Sequence, residues 1–98
     1  MRGPFVDIGM VIIQPGEDFT CHLHDHVEED SFTLEGSVDI YVDGERFALH
    51  PGDLIQVAPK KQHYLKNVGT VPWKAVFVKA PFDPNDKINI DWVPEAEE

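Results

Sequence analysis

The chain has 98 residues with 18 acidic and 8 basic side chains, a formal net charge of −10. This length accommodates one domain, and the acidic balance disfavours nucleic acid and anionic membranes as partners, because both require clustered Lys and Arg. No apolar run approaches the roughly 20 residues of a membrane-spanning helix. The single cysteine, Cys21, excludes an intrachain disulfide. With no signal-peptide pattern after Met1, we expect a cytoplasmic protein, and so short a chain favours a homodimer.

Short apolar runs separated by Gly, Pro and Asp predict an all-β domain. In chain order, the predicted strands cover residues 5–13, 18–24, 29–35, 37–42, 45–49, 54–58, 63–68 and 73–78. Asp43-Gly44 between two of them is a strong signal for a two-residue hairpin. About eight short strands without a long helical pattern indicate a sandwich or barrel.

The last part of the chain has a different composition. Residues 80–86 are rich in Pro and Asp, so 81–98 is predicted to be an irregular C-terminal extension of a single domain spanning 1–98. Within it, Ile88, Ile90 and Trp92 alternate with polar residues. That alternation is compatible with a last edge strand, one that two subunits could exchange.

Four residues point to a metal site: His22, His24, Glu29 and His63. The two histidines of the HLH sequence are two residues apart, a spacing that places both side chains on one face of a strand. Glu29 and His63 would come from neighbouring strands. Imidazole and carboxylate together suit a divalent transition metal, namely iron, manganese, nickel, zinc, cobalt or copper. A lone histidine is usually a surface or core residue, but four such residues in two matching stretches favour a metal site.

These residues resemble the two sequence motifs of the cupins. The first motif requires a glycine, HxH, a glutamate and a second glycine, and Gly16, His22, His24, Glu29 and Gly36 satisfy every spacing. In the second motif, the glycine, histidine and asparagine are present as a further set: Gly52, His63 and Asn67. Two positions depart from it, with Ala58 in the proline slot and Lys60 in the glycine slot. We expect Pro59 to restore the turn there.

The resemblance covers about two-thirds of the chain. It implies a double-stranded β-helix, a small jelly-roll-like barrel that is usually dimeric, with the metal inside one end. It also implies His22, His24, Glu29 and His63 as the metal ligands.

Two residues beside the ligands are candidates for a catalytic base, His26 and Glu28. His26 could be a base or an alternative ligand, or simply a loop residue at the mouth of the barrel. Glu28 could replace Glu29 if the turn slips by one residue, although the spacing to Gly36 favours Glu29.

Strand parity predicts which other side chains line the site. Ser31 and Thr33 share the parity of Glu29 and should face the interior. Gln56 either joins them or faces solvent. Lys60 and Lys61 precede His63 and either attract an anionic substrate or are merely solvated.

The function expected from these residues is that of a metalloenzyme of the oxygenase, isomerase or lyase type, acting on a small polar molecule. The alternative is a non-catalytic module that binds a small ligand such as a sugar or metabolite, since a fold does not determine a function. A purely structural barrel is disfavoured, because four buried polar side chains without a metal would be costly.

Overall fold

The strands form two antiparallel sheets whose inner faces share one hydrophobic core, in a computed structural model that describes residues 5–83 and 85–94. The strands are β1 (Asp7–Ile13), β2 (Asp18–Leu23), β3 (Glu28–Glu35), β4 (Val38–Val42), β5 (Glu45–Leu49), β6 (Leu54–Val57), β7 (His63–Lys66), β8 (Trp73–Ala80) and β9 (Ile88–Asn89). The all-β prediction is confirmed, and most boundaries agree within two residues. Within the described ranges there is no helix that could span a membrane.

Successive strands alternate between the two sheets. One sheet has the order β1-β8-β3-β6 and the other the order β5-β4-β7-β2-β9, so every connection crosses between sheets except that from β4 to β5. That exception is the predicted hairpin, where Asp43 and Gly44 both have positive φ angles of 50° and 83°. The alternation is the double-stranded β-helix that the motifs imply.

The core lies between the two sheets and is built from the inward side of each strand. The four-stranded sheet contributes Ile13, Val57, Trp73 and Ala75, and the five-stranded sheet contributes Val38, Ile40, Leu49 and Leu65. The Trp73 indole donates a hydrogen bond of 3.1 Å to the hydroxyl of Thr33, which satisfies both buried polar groups.

Two motif residues outside the expected ligand set, a glycine and an asparagine, have structural roles. Gly36 has a φ of +72°, and a Cβ atom there would lie 2.3 Å from the carbonyl oxygen of Pro72. The fully buried Asn67 side chain donates hydrogen bonds to the carbonyls of Ile13 and Val71 and thereby ties the loop before β8 to the end of β1. These constraints explain why a glycine and an asparagine occupy these positions.

Lys60, in the glycine slot of the second motif, has a left-handed backbone with a φ of 70°. Its N–H group donates a hydrogen bond of 2.6 Å to the carbonyl of His24. The turn is therefore retained, but a lysine adopts the conformation that glycine adopts without steric cost.

The C-terminal extension folds back onto its own chain. β9 pairs with β2 of the same chain, Ile88 opposite Leu23 and Asn89 opposite His22. The regular strand is limited to these two residues, and Trp92 continues beyond it to pack its ring against those of Tyr41 and Tyr64. Residues 84 and 95–98 of the predicted extension lie outside the described ranges.

Candidate metal centre

The five-stranded sheet and its adjoining loop supply three histidines to one cluster, and the four-stranded sheet supplies a glutamate. His22 on β2 and His63 on β7 are cross-strand partners, and His24 follows β2 directly after Leu23. Glu29 is the second residue of β3 in the opposite sheet. One possible ligand atom from each residue lies within 4.8 Å of those of the other three. The fold thus brings together the four residues that the sequence singled out.

Each imidazole directs its Nδ1 atom towards a main-chain carbonyl. These contacts join His22 to Thr20 at 2.8 Å, His24 to Asp86, and His63 to Lys61 at a longer 3.5 Å. Because a carbonyl oxygen only accepts hydrogen bonds, the proton of each neutral ring resides on Nδ1. In that neutral form each Nε2 atom has a lone pair that can bind a metal ion, as in histidines that bind metals. Without an ion, Nε2 of His24 lies at hydrogen-bonding distance from the carboxylate of Glu29, a contact that only the protonated ring can donate.

The three Nε2 atoms converge on one carboxylate oxygen. Oε1 of Glu29 lies 3.0 Å from Nε2 of His24, and the corresponding distances to His63 and His22 are 3.7 and 4.0 Å. Burial would raise the pKa of Glu29, but its contacts with the three imidazoles outweigh burial and hold that pKa well below its usual range. The contact with Glu29 in turn raises the pKa of His24. A positive charge located between the three rings and the carboxylate is therefore stabilised by this cluster.

The donor set fits a divalent transition ion. The His63 side chain is 1 % exposed, and its Nε2 atom is buried with no hydrogen-bond partner among the described residues. Leaving a buried polar atom unpaired costs about 1–3 kcal/mol. Three imidazole nitrogens and one carboxylate oxygen are the ligands that such ions accept, and a cation among them would satisfy that atom.

Asp86, in the C-terminal extension, organises the histidine side of the cluster. Its main-chain carbonyl accepts the Nδ1 hydrogen bond of His24, and its carboxylate accepts bonds from the main-chain N–H groups of residues 25–27 at 2.8–3.0 Å. Burial opposes ionisation of this carboxyl, but the three N–H groups outweigh it and lower the pKa of Asp86. Sequence reasoning missed this residue, because neither motif nor periodicity marks it.

His26 and Glu28 lie outside the cluster. The His26 ring is half-exposed and contacts the carboxylates of Asp83 at 2.8 Å and Asp86 at 3.4 Å. Glu28 has the opposite strand parity to Glu29. Burial of Asp30, together with its contact with Glu28, raises the pKa of the Asp30 carboxyl to about 6. The structure thus brings Glu29, rather than Glu28, to the histidines.

The predicted lining residues separate into two groups. Ser31 lines a cavity of about 240 Å³ beside the cluster, whereas the fully buried Thr33 bonds to Trp73 in the core. Gln56 is exposed and pairs in register with Asp30 on the outer face.

The basic residues near the cluster are not those that the sequence suggested. Lys60 is exposed, and Lys61 forms an ion pair with Asp43. Lys79 and Lys87 line the cavity beside the cluster instead. Parity could have identified Lys79, because it continues the inward-facing series of Trp73 and Ala75 along β8.

Comparison with known proteins agrees with this architecture. A family model described as "Cupin domain" matches residues 9–79. The chain is 30 % identical over 81 residues to a Streptomyces cyaneus protein named "Polyketide synthase CurC", covering 83 % of this chain and 53 % of that protein. The chain spans about half the length of this curated relative.

Solved structures share the fold at low sequence identity. A conserved Klebsiella pneumoniae protein with a double-stranded β-helix domain superimposes with a TM-score of 0.86 at 20 % identity, covering 94 % of this chain and 80 % of that one. A Silicibacter pomeroyi protein described as a sugar phosphate isomerase from a cupin superfamily superimposes with a TM-score of 0.79 at 21 % identity, covering 90 % and 58 %. At these identities the likeness establishes the fold alone.

Proposed function

Because this chain belongs to the cupin family, we propose that it is a metalloprotein in which His22, His24, Glu29 and His63 hold one divalent transition ion. The observation that carries this proposal is the arrangement of the imidazoles: each has its Nδ1 atom directed at a carbonyl and its Nε2 atom directed at Glu29. The unpaired, buried Nε2 of His63 supports it further. Iron, manganese, nickel, zinc, cobalt and copper all accept such ligands.

The proposed activity is that of a metalloenzyme acting on a small polar molecule by oxygenation, isomerisation or a lyase reaction. When bound, the ion supplies Lewis acidity, polarising a substrate oxygen or lowering the pKa of a coordinated water. The protein holds the three imidazoles in one orientation and shields one side of the site with the core. The curated relative named for polyketide synthesis supports an enzyme over a structural barrel.

A non-catalytic module that holds a sugar or metabolite is the second candidate function. The site opens onto a cavity of about 240 Å³, which suits a bound small molecule whether or not it reacts. Incubating metal-loaded protein with candidate ligands distinguishes the two. Product formation supports the enzyme, and saturable binding without turnover supports the module.

The general base is proposed to be His26 or Glu28. The His26 ring is half-exposed and follows His24 by two residues, so it could exchange a proton with a substrate at the edge of the site. Substituting each residue in a metal-loaded, active protein tests this assignment. Loss of turnover with retained metal in only one of His26→Gln and Glu28→Gln identifies the base, and full activity in both refutes the proposal.

Metal analysis of protein purified without added metal or chelating resin tests the centre. We expect near-stoichiometric metal in the wild type and its loss in His63→Ala. His50→Ala is the matched control, because His50 is exposed and lies outside the cluster. Failure of both wild type and control to contain or take up metal would refute the metalloprotein proposal.

A homodimer is proposed to form through the outer face of the four-stranded sheet. Met10, Val76, Phe32 and Leu54 lie side by side in register across its four strands. Three of them are 42–62 % exposed, an apolar row of the kind that marks interaction sites. Asp30 flanks the row on one side and Lys74 on the other, so a two-fold axis along the row would bring opposite charges of two copies towards each other.

The compartment proposed is the cytoplasm, and the partners proposed are small molecules rather than nucleic acid or membrane. The net charge of −10 supports the exclusion of polyanionic partners. The buried, unbridged Cys21 is compatible with a reducing compartment. Fractionation of cells that produce the protein tests the location.

A further inference from the structure

The cavity beside the histidine cluster is unusually basic for so acidic a chain. It measures about 240 Å³, and its lining includes His22, Glu29, Trp73, Lys79 and Lys87. The chain as a whole has 18 acidic and 8 basic side chains. Yet the charged residues that line this cavity are one carboxylate and two ammonium groups.

Lys79 is held at the cluster by the strand register. It lies opposite Glu29 in the β3–β8 ladder, and its Nζ atom is 3.9 Å from Oε1 of that carboxylate. The same ammonium lies 5.1 Å from the centre of the Phe77 ring. The charge of Lys79 therefore acts on the histidine cluster.

Lys87 brings a second ammonium from the C-terminal extension. It directly precedes β9, which is paired with the strand that carries His22. Besides the main cavity, it lines an adjoining cavity with His24 and Asp83 and another with His22 and Thr20. It therefore borders the space on more than one side of the cluster.

The acidic groups nearest to these lysines are largely engaged elsewhere. Asp86 accepts three main-chain N–H bonds, and Asp83 contacts His26 at 2.8 Å. Asp7, the cross-strand partner of Lys79, lines only the adjoining cavity among those described. A divalent ion with Glu29 as its one anionic ligand carries a net charge of +1, so the main cavity would then contain three positive charges in excess. Asp7, Asp83 and Asp86 lie beside the same two lysines in the adjoining cavity, but none of them lines the main cavity, where the excess of positive charge favours an anion.

Apart from His22 and Ser31, the other walls of the cavity are apolar and include the buried indole of Trp73. An apolar cavity of about 150 Å³ accommodates a benzene molecule. A cavity of about 240 Å³ therefore has room for one ring together with a polar group.

We propose that this cavity binds a compact organic anion, with its carboxylate or phosphate group between Lys79 and Lys87 and an apolar body of about one ring against Trp73. This inference rests on the proposed function for its setting, because it assigns the substrate class of the same site. The lysines themselves are substrate-positioning residues, and their charge is present with or without a metal.

Calorimetric titration with three single-ring probes tests the proposal: the isosteric pair of benzoate and uncharged benzamide, and the larger anion phenyl phosphate. Each is titrated into chelator-treated protein and into zinc-loaded protein. We expect at least one anion to bind at least tenfold more tightly than benzamide, and the stronger of the two anions identifies the acidic group. Equal affinities for all three, or no binding of any, would overturn the proposal.

Substitutions of the two lysines test which residues carry the preference for anions. Lys79→Met and Lys87→Met should each weaken anion binding about fivefold to tenfold and leave benzamide binding unchanged. Lys66→Met, which removes the same charge from an exposed position on β7, should bind as the wild type does. Lys79→Arg and Lys87→Arg keep the charge and should retain most of the affinity. Wild-type anion affinity in both methionine variants, with native circular dichroism, would contradict the assignment.

The metal content of the same samples separates this inference from the proposed function. If the protein takes up metal but does not prefer the anions, the metalloprotein proposal stands and the anion-site proposal is refuted. If the chelator-treated protein prefers the anions but takes up no metal, the anion-site proposal stands and the metalloprotein proposal is refuted.

Discussion

The main-chain carbonyl of Asp86 accepts a hydrogen bond from the Nδ1 atom of His24, which lies 62 residues earlier in the chain. The carboxylate of the same aspartate accepts the N–H groups of the loop that follows His24. One residue of the C-terminal extension therefore fixes both the ring and the loop that separates His24 from Glu29.

Replacing Asp86 with Ala should weaken metal binding about 10–100-fold, the usual effect of removing a group that orients a ligand. The three N–H groups of the loop would lose their carboxylate acceptor. The main-chain carbonyl that contacts His24 remains in the alanine variant, but it would no longer be anchored to that loop. Competition with a chromophoric chelator measures the affinity, and circular dichroism verifies the fold. Asp91→Ala, which removes an exposed carboxylate nearby, is the control. A folded Asp86→Ala protein with wild-type affinity would contradict this role.

Metal should stabilise the folded chain. At a free zinc concentration about 100 times Kd, binding adds about 2.7 kcal/mol to the free energy of unfolding. For a domain of this size, that corresponds to a rise in Tm of about 10–20 °C. His50→Ala should show the same rise and His63→Ala none, as measured by scanning calorimetry. A comparable rise in His63→Ala would place the bound metal elsewhere.

Gly36→Ala should destabilise the fold by about 3 kcal/mol or more. The alanine would have to adopt a positive φ, and its Cβ atom would lie 2.3 Å from the Pro72 carbonyl oxygen. Gly44→Ala isolates the first effect, because Gly44 has a φ of +83° with no atom within 4 Å of a Cβ, and it should cost only about 1–2 kcal/mol. Urea unfolding measures both. Equal losses would show that the contact with Pro72 is relieved by a backbone shift.

Lys60→Gly should stabilise the fold by a few tenths of a kcal/mol to about 1 kcal/mol. A left-handed backbone costs a non-glycine residue about 1–2 kcal/mol, and the greater flexibility of glycine in the unfolded chain offsets about 0.5–1 kcal/mol of this gain. Lys61 does not have a positive φ, so Lys61→Gly relieves no backbone strain. It only increases the flexibility of the unfolded chain and should therefore destabilise the fold. The prediction fails if both variants shift the urea midpoint in the same direction.

Phe32→Lys should convert the proposed dimer to a monomer, because it places a charge within the apolar row of the four-stranded sheet. Phe47→Lys is a matched control, since both side chains are 42 % exposed and Phe47 belongs to the other sheet. Light scattering after size exclusion gives the mass. A monomeric wild type would refute the proposed dimer, and dissociation by Phe47→Lys alone would move the interface to the other sheet.

Most strands were predictable because their signals are local. Alternation of apolar and polar residues with Gly, Pro and Asp turns located β1 to β8, and the hairpin at Asp43-Gly44 was predicted at its observed position. The spacing of His22, His24, Glu29 and His63 also led to residues that the fold brings together. Parity correctly assigned Ser31 to the cavity side of β3.

The unpredicted features depend on contacts between distant parts of the chain. Asp86 lies in a segment whose composition indicates only irregular structure, and its partners are about 60 residues away. Lys87 reaches the cavity only because β9 pairs with β2. The alternation of Ile88, Ile90 and Trp92 is compatible with an edge strand but does not identify the strand with which it pairs. No sequence signal therefore favours Asp86 and Lys87 over the other charged residues.

The position of Asp86 has a consequence for biosynthesis. A nascent chain that has emerged only as far as Ala80 already contains every imidazole and the carboxylate of the cluster, and it contains all strands from β1 to β8. It lacks the carbonyl that orients His24 and the acceptor that closes the loop after it. The strands of the barrel can therefore pair before its histidines are aligned, and alignment of the cluster waits until Asp86 has been translated.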